Sequence, residues 1–159
     1  MRSLKTITVA VTSLVLLTLP PRSLAQTKPA WFGTWNLNFA KSSSTDSPAY
    51  KRVTSRIEPW GDGLRVTYDM VGIRGGVTHW EWTGRLDGKD YPVQGADTFL
   101  TNAYRKIDDK SYEITIKIDG SVAAGSRVTV SADGNALNVV TGKTTSVYER
   151  AHAGGVRGE

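Results

Sequence analysis

The chain has 159 residues, 39% of them hydrophobic, with no cysteine and a formal net charge of +5. That length suits one domain with a sizeable core, and without disulfides its stability has to come from burial. Three of the 20 basic residues (Arg2, Lys5 and Arg22) precede Gln26, whereas all 15 acidic residues follow it, so residues 26–159 carry only +2 and no basic stripe, which argues against a nucleic-acid partner.

In chain order, Met1-Arg2-Ser3-Leu4-Lys5 is a short basic start and Thr6 to Leu19 is apolar and uncharged. Ser23-Leu24-Ala25 then places small residues where a signal peptidase reads. Residues 1–25 are expected to be a signal peptide, and the product to be exported to the periplasm or the cell exterior. The apolar run is too short for an ordinary transmembrane helix and no later stretch qualifies, so no membrane span is expected. No Cys follows it to take a lipid anchor. Residues 26–151 are expected to form a single domain and residues 152–159 a disordered tail.

Turn signals at Asp62-Gly63, 72–76, Asp87-Gly88, 94–97, Asp108-Asp109, Asp119-Gly120, Asp133-Gly134 and Gly142-Lys143 recur about every ten residues, the spacing of an all-β meander. Between them the residues alternate with period two. Trp35, Leu37 and Phe39 share one face, as do Leu64, Val66, Tyr68 and Met70, and as do Tyr112, Ile114, Ile116 and Ile118. This predicts half-buried strands over 33–40, 50–58, 63–71, 77–86, 97–107, 111–119, 125–131, 136–141 and 144–150, with a further strand over 90–93 left open. The fold class expected is all-β, an antiparallel up-and-down meander of about eight to ten strands. For Trp35 on the first strand to meet Arg150 on the last, the sheet must close into a barrel, which also removes its edges.

Gly33-Thr34-Trp35 at the start, Asn38-Phe39-Ala40-Lys41-Ser42 after it, Asp87-Gly88-Lys89-Asp90-Tyr91-Pro92-Val93 in the middle and Val147-Tyr148-Glu149-Arg150 at the end resemble the lipocalin and fatty-acid-binding-protein superfamily. The chain is more closely similar to exported bacterial lipocalin-like proteins. The resemblance implies a barrel with a ligand cavity and no particular chemistry. Fatty-acid-binding proteins hold a ligand carboxylate with Arg-x-Tyr on the last strand; here the matching residues are Ser146, Val147 and Tyr148, so the Tyr remains and the Arg is replaced. Lipocalins generally carry a disulfide, which this chain cannot form.

The candidate binding residues come from register. A five-residue loop at Gly72–Gly76 pairs Tyr68 with Trp80 and Val66 with Trp82, placing Tyr68, Trp80 and Trp82 on one face, where an aromatic stripe either fills a core or lines a cavity. The other face carries Asp69, His79, Glu81 and Arg85. With no second His and no Cys nearby to complete a metal set, these read as a surface ion-pair ladder, and no metal or other cofactor is expected. If Ile107 pairs with Tyr112, Arg105 falls opposite Ile114 on the inner face and could anchor an anion; a one-residue slip turns it outward. Tyr148 is the alternative polar anchor. No strained nucleophile elbow, phosphate loop or calcium loop is present, and the expected function is non-enzymatic. The leading expectation is a monomeric barrel holding a small hydrophobic or amphipathic ligand; the alternative is an interaction or inhibitor module with a filled core and functional loops.

Overall fold

A computed structural model describes residues 28–43 and 49–151. The expected signal peptide and the expected tail after Ala151 lie outside these residues. Alternation produces ten strands: β1 (Gly33–Leu37), β2 (Tyr50–Trp60), β3 (Gly63–Gly72), β4 (Val77–Gly84), β5 (Asp87–Gln94), β6 (Leu100–Lys106), β7 (Ser111–Ile118), β8 (Ser121–Val130), β9 (Ala136–Thr141) and β10 (Thr144–Arg150). No helix occurs among the described residues. All pairings are antiparallel between sequence neighbours, and β1 pairs with both β2 and β10, closing an up-and-down barrel.

Several boundaries differ from the sequence reading; β6, for example, starts at Leu100 rather than near 97. Asp119 and Gly120 both have positive φ, +49° and +79°, the conformation of a two-residue hairpin turn, so β8 starts at Ser121 rather than near 125. Asp87-Gly88 is not a turn but an irregularity inside β5, where the register to β6 shifts between Asp87 and Asp90 and the Asp87 carboxylate accepts the Lys89 amide at 3.0 Å. The open segment 90–93 is the middle of this strand. The stretch after β1 leaves the sheet at Asn38 and runs beside β10. Ser42 Oγ donates to the Asn38 carbonyl and accepts the Val147 amide, and Ser43 Oγ accepts the Thr145 amide.

One end of the barrel is sealed. Trp31 and Trp35 are fully buried there, with Ile57, Leu64, Tyr112, Val130 and Leu137 packed about them. Trp35 pairs with Arg150 across the closing seam, as expected, and the Arg150 guanidinium lies 4.1 Å from the Trp35 ring centroid. The guanidinium also donates to three backbone carbonyls, those of Gly134 (2.8 Å), Phe32 (2.9 Å) and Ala30 (2.7 Å). Trp35 Nε1 donates to the Trp31 carbonyl at 2.9 Å. The segment Ala30–Phe32 is thereby laid across the floor of the barrel. Gly33 sits at φ +147°, and a Cβ there would come within 2.5 Å of Arg150 Nη1, which accounts for the Gly two residues before the Trp.

Candidate functional site

The opposite end is open. Between the sealed floor and the ends of the strands lies a cavity of about 660 Å³. Its wall is mostly aliphatic and aromatic: Leu37, Val53, Met70, Trp80, Val93, Leu100, Ile116 and Val139 among others. The bottom is an aromatic column. Trp82 stacks on Tyr104 with centroids 3.9 Å apart, Tyr104 on Tyr112 at 5.4 Å, and Trp31 meets Tyr112 edge-on at 5.4 Å. The Trp82 indole N–H is satisfied by the Asn102 carbonyl at 3.0 Å, which fixes the ring as the cavity floor.

Four of the five sequence-selected binding residues have clear positions. The hairpin at 72–76 has the expected register, with Tyr68 opposite Trp80 and Val66 opposite Trp82, and all three aromatic residues line the cavity. Tyr148 lines it from β10, paired with Leu37 on β1. The two residues chosen for closure, Trp35 and Arg150, make their contact at the floor and do not reach the cavity wall. Phe39 packs against the core from outside the cavity rather than lining it.

Arg105 is the correction. It pairs with Glu113, not Ile114, and its side chain is 69% exposed in a salt bridge to Glu113 on the outer surface. The cause is local. The amides of Ile107 and Asp108 both donate to the Ser111 carbonyl, so two residues oppose one and the register slips by one position. The slip sends Arg105 and Ala103 to the outer face and brings Leu100, Asn102 and Tyr104 to the inner one, where they line the cavity. Asn102 and Tyr104 were therefore missed from sequence. The double acceptance at Ser111 is the only signal that finds them, and it has no residue-type signature.

The outer face of β3 and β4 behaves as a charge ladder. His79 Nδ1 lies 2.7 Å from Asp69 Oδ1 with both side chains about half exposed, and Arg85 pairs with Asp62 at 2.7 Å rather than with this set. No cluster of metal-ligating residues occurs among the described residues.

Below the mouth, the polar side chains of the wall are uncharged. Burial raises the phenol pKa of Tyr68, Tyr104, Tyr112 and Tyr148, and the four lie close enough that ionising one disfavours ionising its neighbours. All four therefore stay protonated hydroxyls at ordinary pH. Ser126 and Thr141 share a hydroxyl hydrogen bond of 2.6 Å across β8 and β9. Asn102 contributes an amide whose Oδ1 is buried without a hydrogen-bond partner. Asp97 stands exposed at the mouth, and Glu81 borders the cavity from β4 with its side chain on the outer face. The wall thus combines a largely apolar surface with a few hydrogen-bonding groups.

Compared with known proteins, the sequence matches no protein-family model and no curated protein.

Proposed function

We propose that this protein is an exported, non-enzymatic carrier of the lipocalin-like kind, which holds one small apolar or amphipathic molecule in its barrel. The observation that carries the reading is the 660 Å³ cavity, walled by apolar and aromatic side chains above a sealed floor. Ligand cavities fall in a range of about 300–1,000 Å³ and combine an apolar lining with a few convergent polar groups. Export is supported by the basic start, apolar run and small residues before Gln26.

The neutral dye N-phenyl-1-naphthylamine tests the reading. It should bind saturably, with quenching of the emission from Trp80 and Trp82. Val139→Trp puts a large ring into the void and should abolish binding while the circular dichroism of the barrel is kept. Failure of the wild-type protein to bind the dye would defeat the carrier reading.

A second reading has one observation in its favour. Ile73 (60% exposed), Val77 (74%), Phe99 (63%) and Val122 (67%) stand at the strand ends around the open mouth, apolar groups displayed to the outside. An interaction module would use this rim. Val139→Trp blocks the cavity and leaves the rim intact, so it separates a function that needs the interior from one that needs the rim.

A further inference from the structure

The charge inventory of the cavity has a consequence for what can enter it. Among the described residues, no Lys, Arg or His lines the wall. Arg105 is outside, paired with Glu113, and Arg150 is held by three carbonyls at the floor. Ser146, the β10 residue two positions before Tyr148 on the same face, is uncharged, and residues 44–48 contain no basic side chain. Of the two acidic residues bordering the cavity, Glu81 shares the outer face of β4 with His79, and Asp97 stands exposed at the mouth. The other polar groups of the lining are the Asn102 amide and the hydroxyls of tyrosine, serine and threonine.

A carboxylate drawn into this interior would leave water, find no cation and pass the like charge of Asp97 at the mouth. Each of these opposes binding, because a buried charge is tolerated only when paired. A hydroxyl or amide meets no such barrier, and an ammonium, which also leaves water, has the Asp97 carboxylate at the mouth to pair with. The Tyr148 hydroxyl can accept or donate, and the Asn102 amide offers both functions.

We propose that the cavity selects ligands whose polar end carries no negative charge, such as medium-chain alcohols, amides or amines, and rejects the corresponding carboxylates. This rests on the carrier reading and deepens it. The experiment measures displacement of N-phenyl-1-naphthylamine at pH 7.5 by decanol, decylammonium and decanoate, which share a chain and differ in head group. Decanol and decylammonium should each bind at least about tenfold more tightly than decanoate. Decanoate binding less than about tenfold more weakly than either would overturn the proposal. The dye separates the two failures. If it does not bind at all, the carrier reading falls; if it binds and decanoate competes well, only the charge selection falls.

Thr141→Lys then tests the cause, since it adds one cation to the wall near the mouth. It should raise decanoate affinity relative to decanol by about tenfold. A folded variant in which the ratio does not move would show that charge is not what discriminates.

Discussion

At the scale of single residues, Arg150 illustrates how one side chain can serve several elements. It stacks on Trp35, closes the β1–β10 seam and binds the carbonyls of Ala30, Phe32 and Gly134. Trp35→Ala should therefore destabilise the protein by about 3–5 kcal/mol, as large core truncations do. Arg150→Ala should cost a comparable amount, because it strands buried acceptors as well as the ring face. In chemical denaturation the double variant should lose less than the sum of the singles; strict additivity would refute the contact. The sequence made this pair legible because both residues sit at the ends of strands whose alternation is unambiguous. It did not make Arg105 legible. The two readings differ by one residue in a four-residue connection, and the choice is made by backbone amides at Ile107 and Asp108 that any residue could supply. The same ambiguity hid Asn102 and Tyr104.

At the scale of elements, the strands are unequally bound. β2 and β3 pair over ten positions, whereas β4 and β5 pair at Glu81–Gln94 and Trp82–Val93 alone. Two features hold this thin seam. The Trp82 indole reaches past β5 to the Asn102 carbonyl on β6. Gly95, at φ +82°, lets the chain approach so closely that a Cβ would lie 2.1 Å from the His79 carbonyl oxygen. Amide hydrogen exchange should therefore show β5 opening before β2 and β3, with amides at the β4–β5 seam exchanging at least about tenfold faster than those of the β2–β3 ladder. Gly95→Ala should cost about 1–3 kcal/mol through strain and the lost approach, and widen that difference. Equal protection across both seams would contradict this account. Low legibility follows the same gradient. β5 reads Asp-Gly-Lys-Asp-Tyr-Pro-Val-Gln, with little alternation and a Pro that cannot donate, so its sequence resembles a loop. Its strand state is imposed by β6 on one side and by the packing of Tyr91 edge-on against Trp82.

At the scale of the whole molecule, barrel closure could be inferred from alternation, turn spacing and the two ends. The void could not. Whether inward side chains fill a barrel depends on strand number, tilt and register together, and a ten-stranded barrel is wider than the eight-stranded size at which side chains just fill the interior. Trp82, Tyr104 and Tyr112 are stacked into the floor, Trp80 stays on the wall, and Phe99 is turned out to solvent. If export precedes folding into this shape, intact-mass measurement of the secreted product should find a chain beginning at Gln26; a soluble product that retains residues 1–25 would refute that boundary.

The guanidinium that completes the floor is received by carbonyls 118 and 120 residues earlier in the chain. A nascent polypeptide that has emerged only as far as β9 has both tryptophans of the floor but nothing to cap them, and its first strand still lacks a neighbour on one side. The rate of folding is thus tied to the arrival of the final strand, with a large loop-closure entropy to overcome at that moment. Vectorial synthesis holds such a chain open until nearly all of it is available, and an unfolded thread is the form in which a polypeptide passes through a narrow translocation pore.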